Sequence, residues 1–247
     1  MVSWPQATRG DMFNKRKKVK LTFHTSGTQQ LVDMFSANNG HKLMPDWARS
    51  LGKSTNENIL NMNTCPGFVD LLKKSVAIPL WMDHRITYQG SQLLDVQLPG
   101  VSDKQILKFV QQHHSSQWGN AFKQSSHVKL MSPWLVTCDS DLEWLMHDPT
   151  WHKNNSMGQY TLTPGLLNFK YQSGTAVNMF LTPSEKPNTI TLEAGTIIVY
   201  LTPLADVDIE IECKRVSDDE WYSLLKHQFT FTNMYNKTKK FLNRGSK

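Results

Sequence analysis

The chain has 247 residues, 39% hydrophobic and 19% charged, with 8 Trp, 11 Phe and 6 Tyr, enough apolar matter to bury a core and exclude whole-chain disorder. Its 27 basic and 21 acidic residues leave a formal net charge of +6, with the excess gathered mostly at the two ends.

The basic run Lys15-Arg16-Lys17-Lys18-Val19-Lys20 leads into an alternation: Val19, Leu21 and Phe23 on one side, Lys18, Lys20, Thr22 and His24 on the other. That period of two predicts a strand with one exposed face. Residues 29–37 read as a short helix closed by Asn38-Asn39-Gly40, and residues 46–66 as polar, irregular chain. Strands are predicted at 76–82, 85–88 and 93–98. A helix then interrupts: Ser102-Asp103-Lys104-Gln105 has capping-box spacing, with Ile106, Phe109 and Val110 at helical intervals. His113-His114 would close it, where a cation suits the helix dipole. Strands resume at 128–138, 141–146, 160–163, 175–181, 189–192, 196–202 and 207–213. In the last of these Val207, Ile209 and Ile211 alternate with Asp208, Glu210 and Glu212. Ser217-Asp218-Asp219-Glu220 is a second capping box, starting a C-terminal helix that carries Trp221, Leu224 and Leu225.

Many short strands at intervals of about ten residues, punctuated by Pro and Gly, predict a mainly β protein, a sandwich or jelly roll with a few short helices. Three parts follow. Residues 1–75 supply a strand, a short helix and an irregular segment packed on the core; residues 76–215 form the β-sandwich; residues 216–247 form a helix and a basic tail expected to extend away from the core.

The apolar runs at 76–82 and 196–202 fall far short of the roughly 18 residues of a membrane helix. No apolar stretch follows the N-terminal charges, so neither a secretory signal nor a membrane partner is expected. Cys65, Cys138 and Cys213 lie far apart without a CxxC pair, which predicts reduced thiols rather than a disulfide framework or a zinc site. After Glu220 no acidic residue remains, against Lys226, Lys237, Lys239, Lys240, Arg244 and Lys247. Such ends suit nucleic-acid phosphates through counterion release, or an acidic neighbour in an assembly. The middle of the chain shows no basic stripe with interleaved aromatics.

Candidate chemistry is sparse. Gly52-Lys53-Ser54 imitates the end of a phosphate-binding loop, but Trp47 stands where that loop needs its first glycine. His147, Asp148 and His152 are candidate metal ligands, although adjacent His and Asp on a strand point to opposite faces. Asp83-His84 beside Trp81 reads as an acid–imidazole pair or as a turn between strands. No nucleophile-elbow motif is present, and no cofactor is expected.

One stretch, Pro164-Gly165-Leu166-Leu167-Asn168-Phe169-Lys170-Tyr171-Gln172-Ser173-Gly174, followed later by Glu193-Ala194-Gly195-Thr196-Ile197-Ile198, resembles the paired motifs of the dUTPase and dCTP deaminase superfamily. There a Gly-aliphatic-aliphatic-Asp-x-x-Tyr hairpin precedes a second glycine-led strand; the Asp acts on water or the sugar hydroxyl, and the Tyr stacks under the deoxyribose. Gly165, Leu166, Leu167 and Tyr171 match. Asn168 stands at the Asp position, and a neutral amide cannot take a proton from water. The family's Pro-Arg-Ser phosphate motif is missing. The resemblance implies a β-clip or jelly-roll architecture, a ligand site at Gly165, Asn168 and Tyr171, and a copy without catalysis.

A wider series, Pro45-Asp46-Trp47, Cys65-Pro66-Gly67-Phe68, Ile78-Pro79-Leu80-Trp81 and Ser132-Pro133-Trp134, is similar to uncharacterised proteins of large tailed bacteriophages of the marine myovirus type. This implies a virion or the bacterial host cytoplasm as location. The expected function is a non-enzymatic virion or assembly component, partnered by other phage proteins or by itself, as a trimer or larger ring. The alternative is a degenerate dUTPase-like nucleotide binder acting in the infected cell.

Overall fold

The alternation beginning at Lys17 builds the first strand, β1 (Lys17–Thr25). The computed structural model describes residues 16–51, 61–118, 120–152, 156, 158–225, 236–237 and 239–241. After β1 comes α1 (Gln29–Phe35), started by Thr28, whose hydroxyl accepts from the Leu31 amide. Then follow β2 (Asn38–Asn39), α2 (Asp46–Ser50) and α3 (Pro66–Lys74). The central strands are β3 (Val76–Pro79), β4 (His84–Gln89) and β5 (Gln92–Gln97), then the single turn α4 (Asp103–Ile106). Next come β6 (Val110–Gln112), β7 (His127–Leu130), β8 (Leu135–Cys138), β9 (Trp144–His147), β10 (Tyr160–Leu162) and β11 (Gly165–Leu167). The chain continues through β12 (Val177–Leu181), β13 (Asn188–Leu192), β14 (Ile197–Pro203), β15 (Val207–Arg215) and α5 (Asp218–Leu225).

The strands form four sheets, in the orders β15-β1-β8, β10-β12-β7-β6, β11-β9-β14-β3-β2 and β13-β4-β5. Among the described residues every pairing is antiparallel except β1 with β15, which run parallel in register from Lys17–Val207 to Thr25–Arg215. The fold is mainly β and sandwich-like, with the inward faces of the sheets sharing one large apolar core. A smaller second core lies under α2 and α3, built on Ala48, Phe68, Leu72, Ala77, Ile197 and Tyr200. Strand β14 lies between the two. Ile198, Val199 and Leu201 enter the large core, while Ile197 and Tyr200 enter the small one. That is why its sequence is a continuous apolar run rather than an alternation.

Several expectations change. Strand β1 is interior, not half-exposed: Thr22, His24 and Thr25 are buried along with Val19, Leu21 and Phe23. The segment 46–66 contains α2 and a 3-10 turn at Met62–Thr64, and α3 begins at its end. Pro66 sits in the first turn of α3, where a backbone N–H is not needed, and Phe68 and Leu72 supply its buried stripe. The helix predicted from Ser102 stops at Ile106, and the Ser102 hydroxyl meets the Gln105 side chain instead of capping a backbone amide. Val110 belongs to β6, paired with Leu130 of β7, so His113 and His114 follow a strand, not a helix. The predicted strand 128–138 is two strands in different sheets, parted around Ser132 and Pro133. Among the described residues no helix is long and apolar enough to cross a membrane. Gly52-Lys53-Ser54 lies outside the described residues.

Candidate functional site

Gly165, Leu166 and Leu167 form β11, which pairs with β9 at Met146, Leu145 and Trp144. The chain then turns at Asn168, whose carbonyl accepts from the amides of Tyr171 and Gln172, and crosses to β12 in another sheet. The segment is a sheet-to-sheet crossover and not a hairpin. The second glycine-led strand, β14, shares the five-stranded sheet with β11, separated from it by β9.

The crossover brings Asn168 and Tyr171 onto one carboxylate that sequence reading missed. The Asn168 amide donates to Asp141 Oδ1 at 2.7 Å, and the Tyr171 hydroxyl donates to Asp141 Oδ2 at 2.5 Å. Asn168 is 3% exposed and Tyr171 0% exposed, while Asp141 itself is exposed. The Tyr171 hydroxyl, helped by the Asn168 amide and by the charges of Lys170 and Lys239, holds the Asp141 carboxyl below its usual range. Lys170 Nζ and Lys239 Nζ stand 5.7 Å and 5.4 Å from the Tyr171 ring centroid. Lys239 corrects the expectation that the basic tail extends away from the core: at this residue the tail comes back to it. Helix α5 is anchored beside the same turn, its Leu224 carbonyl accepting from the Ser173 hydroxyl at 2.9 Å. Nothing in the sequence near Asn168 announces Asp141, which follows β8 and is 27 residues away along the chain.

Chemically, a carboxylate with both oxygens already bonded and its basicity lowered is a poor general base. A fully buried tyrosine offers no open ring face for a sugar or base.

The candidate metal ligands fall around a different aromatic residue. The rings of His147 and His152 each stand 5.6 Å from the ring of Tyr200. His147 Nδ1 contacts the Asp148 carbonyl at 3.1 Å and Nε2 the Thr202 hydroxyl at 2.9 Å, so both ring nitrogens are engaged. The Asp148 carboxylate accepts from the Thr150 hydroxyl at 3.0 Å. His152 lines a cleft of about 630 Å³ together with Asp46, Trp47, Arg49, Glu193 and Ile197. Burial, and then the charge of Arg49, holds its imidazole down at about 4. Among the described residues no three His, Cys, Asp or Glu side chains gather as a metal site. Asp83 and His84 do not pair: the His84 Nδ1 bonds the Met82 carbonyl at 2.9 Å, and the Asp83 carboxylate accepts from the Ala194 amide at 2.7 Å.

The fold and this geometry define a mainly β, sandwich-like protein, and comparison with known proteins adds no relative. No family model matches the chain, and no curated protein or solved structure matches it significantly.

Proposed function

We propose that the protein is a non-enzymatic structural or assembly component of a tailed-bacteriophage particle, acting through contacts with other particle proteins or with copies of itself. The observation that supports the non-enzymatic part of this reading is the Asp141–Asn168–Tyr171 network, in which the buried groups at a dUTPase-like position are both bonded to the exposed Asp141 carboxylate; the phage origin rests on the sequence resemblance. Such a network rigidifies a turn; it does not present a free base or an open stacking face. The test is mass spectrometry of purified particles of the phage that encodes the chain, with copy number. Presence at fixed stoichiometry supports the reading, and absence from the particle refutes it.

A second reading, a degenerate dUTPase-like nucleotide binder, draws support from Asp141, which places a carboxylate 2.7 Å from the amide of Asn168. It requires the Tyr171 ring to become accessible. Titration with dUTP and dCTP followed by calorimetry checks it: heat that vanishes in Tyr171→Ala, with a Tyr171→Phe control, supports binding there, and no heat removes it.

A further inference from the structure

The stretch between Asp103 and Asp139 contains no acidic residue, yet it holds Lys104, Lys108, Lys123 and Lys129 among Phe109, Trp118, Phe122 and Trp134. These residues correct the expectation that the middle of the chain shows no basic stripe with interleaved aromatics. Folding gathers part of it on the outer face of the β10-β12-β7-β6 sheet. Thr161, Phe180 and His127 are cross-strand partners in one row. Their neighbours Leu162, Met179 and Val128 point the other way, into the large core. On the outer row the Phe122 ring stacks on Phe180 at 4.3 Å and 21°, and Trp118 lies 4.5 Å from His127 and 5.2 Å from Phe180.

Two features separate this cluster from a small satellite core. Phe122 is 57% exposed, so its outer ring face meets solvent. It is also held at φ 57°, the one non-glycine residue with positive φ among the described residues. A left-handed backbone at a bulky aromatic residue is uncommon and costly, and here it presents a ring outward instead of burying it. Two lysines stand beside the rings. Lys123 is exposed beside Phe122, and Lys129 shares the strand face of His127. Burial lowers the affinity of both His113 and His127 for a proton; next comes Lys129 for His113, and His113 and then Lys129 for His127, and among the described residues no acidic group acts on either imidazole.

We propose that this face binds single-stranded nucleic acid, with a base stacked on the exposed face of Phe122 and phosphates along Lys123 and Lys129. An anionic chain of planar rings matches both halves of the surface, rings against rings and phosphates against ammonium groups. A duplex keeps its base faces stacked away. An apolar protein partner would leave the lysines unmatched.

The experiment is fluorescence anisotropy of a labelled 20-nucleotide oligothymidylate titrated with the full chain at low salt, with Trp emission followed in parallel. Binding should quench Trp emission and weaken as salt rises. Phe122→Ala, at an exposed position whose strain it leaves in place, should weaken binding about tenfold. Lys123→Glu should weaken it as well and flatten the salt dependence. A thermal melt confirms that both variants fold. Equal affinity in Phe122→Ala, or equal affinity for a duplex, overturns the proposal and assigns the binding to the basic ends. No binding at low salt also overturns it and leaves the face to a protein partner.

Discussion

The Tyr171 hydroxyl donates to Asp141 Oδ2 at 2.5 Å, joining two residues 30 positions apart across the turn that leads from one sheet to the next. Removing the hydroxyl leaves the carboxylate without its principal donor. Tyr171→Phe should therefore destabilise the protein by about 1–3 kcal/mol at pH 7, as expected for a hydrogen bond to a charged group. Because the folded carboxyl is held below its usual range, this contribution is present above the unfolded pKa and fades as pH falls through the folded one. Urea unfolding of both forms from pH 7 downward checks it: the gap between midpoints should be wide at pH 7 and narrow progressively once pH falls below the ordinary carboxyl value of 3.8.

Asn168→Asp restores the residue that the resembling family carries, and it should harm this fold. The new carboxylate would stand about where the amide nitrogen now sits, 2.7 Å from Asp141 Oδ1. Two like charges at that distance resist ionising together, so a loss of roughly 1–3 kcal/mol at pH 7 should shrink as the pair takes up a proton in acid. Denaturation midpoints against pH read this directly. A variant as stable as the parent at pH 7 contradicts the network described.

Burial holds the imidazoles of His84, His127 and His152 down at about 4. Unfolded, each takes a proton near its ordinary value of 6.5, so the unfolded state binds more protons in the interval between. Stability should be flat above pH 6.5 and fall steadily toward pH 4. Replacing fully buried His84 by Gln should remove part of that slope, as chemical denaturation at successive pH values would show.

Packing depth sets a contrast between two leucines of the same five-stranded sheet. Leu201 in β14 is 0% exposed and Leu166 in β11 is 57% exposed. Leu201→Ala should cost about 2–5 kcal/mol, and Leu166→Ala should lie within about 0.5 kcal/mol of the parent. Thermal and urea unfolding of the two variants side by side decides the matter.

The strands with clear local patterns were legible in the chain. Val207, Ile209 and Ile211 alternate because one face of β15 meets the core, and Asp218 to Leu225 is helical as its capping box implies. Long-range choices were not legible. Nothing local tells β1 to pair in parallel with β15, or splits 128–138 between two sheets. The helix α3 went unpredicted behind the irregular segment 46–66, although proline is at home in a first turn, as Pro66 is here. At the candidate site, Gly165, Asn168 and Tyr171 could be singled out from a motif, but their partner Asp141 and the returning Lys239 come from elsewhere in the chain. Such convergence is a property of the fold, not of any stretch of residues.

The parallel pairing of β1 with β15 has a consequence for synthesis. Each rung of that ladder joins residues 190 positions apart, as in Thr22 with Glu212. A ribosome must therefore add some 190 further residues after β1 before that strand can find one of its two neighbours. Until then Leu21 and Phe23, which end fully buried, wait on an unfinished sheet edge. Folding should be slow at this step, and the growing chain should call on chaperones during that interval.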